Sequence, residues 1–567
     1  MTRWSSLLHS HRARITAVTL LALVLIGLWY RHAGAATATP IIKLNGVQSE
    51  LTLTPDIPLT VTIQLDAGNL AGEEADWWVA AETPLGWYSY TYPDTWEFRG
   101  FNVSDLAPAA QGPLFDLTEP LEVLNITGLP TGTYVVYFGV DTTANGLLDA
   151  GTLVYDYVFL NVTEEGSPYT GYNLFSSLNS TTTYLMDNDG NVVHSWNTGY
   201  TPGNSVYFLE NGLLLHTGNV GNTSFGEGGA GGIVQTIDWD GNVTWEYEYS
   251  SSTHVQHHDV EMLPNGNVLM VAWQHRSGDE AISAGRDPSL LSDGEIWPDS
   301  VIEVQPTGPN SGLIVWEWHA WDHLVQDYDS TKSNYGVIAD HPELIDLNYA
   351  MNGGADWNHI NSIDYNEELD QILLSVHNFS EIWVIDHSTT TAEAAGHSGG
   401  AAGVGGDLLY RWGNPQTYGA GDASDQQLFA QHDAEWIEAG KPGEGNILIF
   451  NNGDGRPEGN YSSIVEITTP LDSDGRYAPA SGGAYGPGQP VWTYTSDPPT
   501  DFYARNISGQ QRLPNGNTLI CDGPDGHFFE VTASGETVWE YYTKGVVFRV
   551  ERYAPEYPGF DGKIMTD

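Results

Sequence analysis

The chain has 567 residues, with 73 acidic against 19 basic side chains and a formal charge of −54. Such a field repels phosphate backbones and excludes nucleic acid as a partner. Apolar residues at 40 % and aromatics at 12 % are too many for a disordered acidic chain, and the single cysteine, Cys521, excludes an internal disulfide and any thiolate zinc site.

In chain order, the first acid is Glu50. Before it stand Arg3, Arg12 and Arg14, the apolar run Ile15–Tyr30, and small residues with a cleavage point after Ala33-Gly34-Ala35. That is the layout of a secretory signal. Residues 1–35 are therefore expected to be a signal peptide or, left uncleaved, a membrane anchor. Either way the body is exported, periplasmic or extracellular.

Residues 40–165 read as a separate domain. Leu59–Leu65, Trp77–Ala81, Tyr134–Val140 and Val154–Val162 alternate between Pro and Gly turns, which predicts a small immunoglobulin-like β-sandwich. Within it Asp141, Asn145, Gly146 and Asp149 have a calcium-loop look. They lack the EF-hand spacing and a closing Glu, so they read as an Asx-turn.

From 170 to 567 two phrases alternate. The first is a turn and a strand ending in Trp: Asp189 to Trp196, Asp238 to Trp245, then Gly312 to Trp316, Gly406 to Trp412, Gln489 to Trp492 and Gly535 to Trp539. The second is Asn-Gly or Gly-Asn opening an apolar strand, before Leu213, Val268, Ile447 and Thr518, with a degenerate copy at Leu369–Leu374. Asn-Gly between apolar runs marks a hairpin. Two hairpins per repeat predict four-stranded sheets. Six copies predict an all-β, six-bladed β-propeller, closed by Val546–Val550 pairing with the first blade. Insertions at about 275–299, 320–358, 390–405, 414–431 and 470–488 are expected to build the substrate entrance. Cys521, in an apolar strand, reads as core.

The innermost strand of each blade should precede each hairpin phrase. These strands open with Asn204-Ser205, Gln256-His257-His258-Asp259, Asn358-His359-Ile360-Asn361, Gln431-His432-Asp433 and Arg505-Asn506. Polar residues at one repeat position converge at one mouth of the channel, and His377, Asn451 and Asn452 fall at the same level. Adjacent strand residues face opposite sides, so only one of His257 and His258 should point inward. His9, His11, His319, His341, His387, His397 and His527 have no such register and read as surface or satisfied core residues. Imidazole serves as base, nucleophile, metal ligand or anion donor, and the register alone does not choose among these.

The stretches Gly171–Phe175, Thr183–Asp187, His257–Asn267, Asp356–Asp364, Ser380–Asp386, Tyr410–Pro415, Gln431–Ala434 and Gln511–Asn517 resemble the bacterial arylsulfate sulfotransferase family, exported six-bladed propeller enzymes. The resemblance implies a ping-pong transfer of a sulfuryl group from an aryl sulfate donor to a phenol, with neither nucleotide nor metal or other cofactor. It makes His432 the nucleophile, and His359 and His258 the groups that steady the sulfuryl oxygens or protonate the leaving phenol. His257 stands in for His258, and Asn361 adds a neutral donor. At His377 the family pattern has an arginine that clamps sulfate. A histidine would clamp more weakly and with pH dependence, with Arg411 or Arg505 as substitutes. Two other classes fit the same ring: a metal-dependent hydrolase using Asp259 or Asp433 beside the imidazoles, and a non-catalytic binding propeller.

Overall fold

The computed structural model describes residues 38–48, 51–55, 57–93, 95–149, 151–164, 166–349, 354–472, 475–477, 483–563 and 565. The expected signal or anchor, 1–35, lies outside them. Among the described residues no helix is long and apolar enough to cross a membrane. The chain is nearly all β and divides into two compact units, the second of which takes in everything after residue 160.

In the first unit, Thr39–Leu44, Leu59–Asp66 and Leu117–Ile126 form one sheet. A second runs through Leu153–Val162, Gly132–Asp141, Glu74–Thr83, Gly86–Thr91 and Thr95–Gly100. Alternate residues of Leu59–Asp66 are buried, as a half-covered strand requires. The Asp141 carboxylate accepts from the amides of Thr143 and Asp149, at 2.9 and 2.8 Å. That is the Asx-turn geometry expected for this loop.

The second unit contains six antiparallel four-stranded sheets. The first runs Val192–Asn197, Thr182–Asp187, Tyr172–Ser177 and then Val547–Tyr553, so a late strand completes it as expected. The other five follow in chain order and begin with Pro202–Phe208, His254–Met262, Ile360–Asn366, His432–Trp436 and Gly509–Arg512. These five strands and Val547–Tyr553 adjoin one another. Apolar cores lie between successive sheets, and one joins sixth to first through Phe175, Met186, Leu519, buried Cys521, Phe528 and Val550.

The repeated tryptophans have a specific task. Each donates its indole N–H to the next sheet: Trp196 to Asp238 O, Trp245 to Ser311 O, Trp316 to Thr389 Oγ1, Trp412 to Pro487 O, Trp492 to Ala533 O, and Trp539 back to Asn188 O. The distances run from 2.7 to 3.1 Å. Apart from Thr389, which stands well before Gly406, the acceptors lie in or beside the turns that open the phrases, which is why turn and Trp recur together.

Not every insertion faces the histidines. Residues 390–405 and 470–488 connect third strands to fourth strands. Antiparallel alternation makes those connections leave from the end opposite the start of the innermost strands.

Candidate active site

The histidines come from the first turns of the innermost strands, where regular pairing breaks. Register shifts fall between Gln256 and Val260, between Ile360 and Ser362, and between His432 and Ala434. Left-handed residues sit in or beside these breaks: His258 at φ 51°, His359 at φ 56° and Asp433 at φ 48°. An extra residue in a strand re-aims the side chains around it, and left-handed non-glycine residues concentrate where function requires the strain. Gly229, at φ +91°, makes room for the result: a Cβ there would lie 2.0 Å from Cε1 of His258.

Five imidazoles form a row. Ring centroids are 5.2 Å apart from His257 to His258, 4.6 Å from His258 to His359, 5.1 Å from His359 to His377, and 5.2 Å from His377 to His432. His257 is set back: it stacks on Trp273 at 3.9 Å, binds Asp299 through Nε2 at 2.9 Å, and meets Nδ1 of His258 through Nδ1 at 2.8 Å. His258 is therefore the inward member of the pair, and His257 is its support rather than a substrate contact.

The partners fix protons. His359 Nδ1 is hydrogen-bonded to the Asp356 carboxylate, which leaves Nε2 without a protein partner among the described residues. His377 Nδ1 donates to Asn378 Oδ1 at 2.8 Å, and the Asn378 amide is oriented by donating to Asp356 O at 2.9 Å. His432 Nδ1 donates to Asn452 Oδ1 at 2.9 Å. Asn452 cannot be turned around, because its amide donates to the carbonyls of Ala504 and Ile507. Nε2 of both His377 and His432 thus carries a lone pair, and at His432 that lone pair accepts from the Ile507 amide at 3.1 Å.

Charge is divided unevenly along the row. Burial alone would lower the His359 imidazole, but the Asp356 carboxylate, its hydrogen bond and Asp299 raise it above the ordinary value. His258 and His432 are held well below the ordinary value, first by burial and then by neighbouring imidazoles, His359 for one and His377 for the other. His377 is lowered to about 4 by burial and by the His359 cation. Positive charge in the row is therefore favoured on His359 over its neighbours.

Next to the row is a second charged group. Arg549, from the closing strand, forms ion pairs with Asp259 at 3.1 Å and Asp433 at 3.0 Å, contacts that lack hydrogen-bond angles. Tyr207 donates to Asp259 at 2.7 Å. Gly509 is required there, since a Cβ would lie 2.3 Å from Asp433 Oδ2. Asp259 and Asp433 thus serve Arg549 and not an ion among the imidazoles.

Three expected substrate contacts have other work. Arg411 is fully buried and its donors are taken by Glu381, Thr417 and the carbonyls of Pro342 and Leu344. It also lies 4.5 Å above the Tyr418 ring, so it is a structural ion pair and not a sulfate clamp. Asn361 spends its amide on Gln431 O at 2.8 Å and steadies the residue before His432 instead of offering a donor. His377, neutral with its Nε2 lone pair free, cannot clamp an anion in this state. Arg505 is exposed two residues before Ile507 and remains available.

Asp356, Asp299, Trp273, Asn378 and Arg549 were not read from the sequence as site residues. Arg549 had a legible signal: Arg549, Glu551 and Arg552 stand in a closing strand begun by Val547 and Phe548, where buried charge needs a reason. A cavity of about 460 Å³ lined by Phe429, Asn451, Arg456 and Tyr461 lies off the row.

Comparison with solved structures finds low overall likeness. A protein of unknown function from Bacteroides caccae is 13% identical, with 67% of this chain and 98% of that chain covered and a TM-score of 0.35. A streptogramin B lyase is 10% identical, with 67% and 83% covered and a TM-score of 0.32. The calcium-binding protein regucalcin from Agrobacterium tumefaciens is 10% identical, with 63% and 83% covered and a TM-score of 0.28. A comparison with curated proteins gives no match. The arylsulfotransferase (ASST) family pattern, by contrast, matches residues 159–556, a span that includes all five histidines, Asp356, Asn452 and Arg549, and the chain belongs to that family.

Proposed function

We propose that the six sheets are the blades of a β-propeller whose mouth transfers a sulfuryl group from an aryl sulfate to a phenol, through a sulfuryl group held on His432. Family membership implies aryl sulfotransferase activity; the route through His432 is our reading. The observation that carries it is the pairing of opposite protonation states: neutral His432 with its proton fixed on Nδ1, in a row with an imidazolium at His359.

In the first half-reaction the Nε2 lone pair of His432 attacks sulfur, and the S–O bond to the aryl group breaks with its electron pair leaving on the phenolate. His359 gives its Nε2 proton to that oxygen. In the second, neutral His359 takes the proton of the acceptor phenol, the phenolate oxygen attacks sulfur, and the N–S bond returns its pair to His432. Donor and acceptor are both phenol derivatives, so one acid–base group serves both steps. Asn452 keeps the Nδ1 proton in place throughout, the role of the orienting group behind any nucleophilic imidazole. Arg505, exposed at the mouth, is suited to meeting the donor's sulfate. Residues 40–165 form a separate sandwich domain, 170–567 the catalytic one, and the basic, apolar start directs export.

The test is to incubate the protein with an aryl sulfate, quench, and digest with trypsin. A mass gain of one sulfuryl group on the peptide that begins at Trp412, absent in His432→Ala, supports the reading. A second assignment has one observation behind it: Nε2 of His377 is unclamped, whereas that of His432 meets Ile507. A sulfuryl group on the peptide that ends at Arg411, which also holds His359, would move the nucleophile to His377 if it is lost in His377→Ala and kept in His359→Ala.

A further inference from the structure

Away from the row, two histidines and an aspartate meet at the edge shared by the third and fourth sheets. His323 follows the outer strand Ser311–His319, and His397 and Asp407 precede the outer strand Tyr410–Trp412. Nδ1 of His323 and Nδ1 of His397 each lie 2.8 Å from the same oxygen, Oδ1 of Asp407. Nε2 of His323 lies 2.8 Å from the carbonyl oxygen of Ala394. A carbonyl can only accept, so that Nε2 carries the proton. With that one proton alone, Nδ1 would direct its lone pair at a carboxylate oxygen, so the contact needs a positive charge, a second proton or a metal ion, between the two atoms. This is the posture of a metal-ligating imidazole, its remote N–H anchored on a backbone carbonyl and its near nitrogen turned to the ion.

We propose that Nδ1 of His323, Nδ1 of His397 and Oδ1 of Asp407 bind a divalent first-row transition-metal ion. The three atoms lie within 4.8 Å of one another. With metal–ligand lengths of about 2.0–2.2 Å, a 2.8 Å edge subtends an angle of about 85°, which suits neighbouring positions of a five- or six-coordinate ion. His397 is 60% exposed, so water completes the shell from that side. The buried side is already built. Trp318 stacks on His323 with centroids 5.7 Å apart and an interplanar angle of 6°, and its indole donates to Gly406 O at 2.7 Å. Gly406 admits no side chain, because a Cβ would fall 2.0 Å from Ala394 O and 2.7 Å from His323 Nε2. Two of the three ligands are therefore positioned in advance. The ion would fasten the segment leaving the third sheet to the link before the outer strand of the fourth, and it would compete with protons for the same three atoms, so binding weakens as pH falls.

The full chain, stripped with a chelator and dialysed, is titrated with Co²⁺ followed by visible absorption, then with Zn²⁺ in competition. One ion per chain is expected at this site, with proton release. His397→Ala, an exposed position that leaves the fold intact, should weaken binding more than about 100-fold, beyond the loss usual for an outer-shell partner. Asp407→Asn should do the same, and His359→Gln should not. A wild-type chain that takes up neither ion, or a His397→Ala chain that binds as tightly as wild type, overturns the proposal.

Discussion

The Ile507 amide donates to Nε2 of His432 at 3.1 Å, while the Ile507 carbonyl accepts from Asn452, which holds the other side of the same ring. Ile507 at φ 48° and Ser508 at φ 83° are both left-handed. One strained dipeptide thus fixes the tautomer of the imidazole proposed as nucleophile through Asn452 and covers its lone pair. Attack on sulfur requires the amide to withdraw, and Asn452 to stay. Asn452→Leu removes the acceptor that selects the Nδ1 proton. We expect kcat to fall by at least about 10²-fold, by analogy with loss of the orienting group in a catalytic triad, with KM for the donor little changed and cooperative unfolding retained. Steady-state kinetics on an aryl sulfate decide this.

Asp356→Asn removes the carboxylate that keeps His359 cationic. The folded imidazole then moves down, since burial lowers it with only the lesser pull of Asp299 and Glu227 against it. In the proposed reaction protonated His359 is the acid for the leaving phenol, so in the wild type activity should decline only above its raised value, higher than the ordinary 6.5. In the variant that alkaline limb should shift to lower pH. The sign for His432 is the reverse: it must be neutral, and its depressed value places the acidic limb well below 6.5. A pH–kcat/KM profile of the two proteins checks both limbs. An unmoved alkaline limb would remove His359 as the acid.

Arg549 is a single cation between two buried carboxylates. Arg549→Met leaves Asp259 and Asp433 without it, and loss of one partner of a buried ion pair costs about 3–5 kcal/mol. Asp433 already lies at about 6, raised by burial against the pull of Arg549. The variant should therefore be least stable at alkaline pH, where Asp433 must ionise without its cation, and should recover part of the loss as pH falls through the raised value of Asp433. Urea unfolding at several pH values gives the slope.

Truncation after Gly545 takes away Val547–Tyr553 and strips the paired edge from Tyr172–Ser177. Exposed edges pair with other chains, so oligomers should appear in size-exclusion chromatography. Trp539→Phe is the mild counterpart. It keeps an aromatic ring, a smaller one, and loses one hydrogen bond to Asn188, worth about 0.5–1.5 kcal/mol, and should stay monomeric with a lower Tm.

The repeat phrases were legible because they record two local necessities, a tight turn and an indole that reaches the next sheet. The register of His258, His359, His377 and His432 followed from those phrases, and the structure brings these four together. What stayed hidden depended on cross-strand pairing. Arg411 looked like a free cation beside Trp412, but Trp383 is its register partner and Glu381, two residues earlier on that strand, takes its guanidinium. Asp356 stands three residues before His359 in a quoted motif, yet nothing in a one-dimensional string says that a loop folds it back onto that imidazole. The bulges, which turn His258 inward and leave His257 on Trp273, have no composition signature at all.

His359, the ring of the row on which positive charge is favoured, sits inside a molecule carrying −54 charges. An anionic donor is therefore repelled from afar and welcomed only within the last few ångströms. Dissolved salt, with a screening length of about 8 Å at physiological ionic strength, removes the distant repulsion and leaves the buried contact nearly intact. Capture of aryl sulfates should accordingly quicken in brine, while capture of uncharged phenols stays indifferent to it. The enzyme's preference between its two kinds of substrate is then set partly by the saltiness of its surroundings.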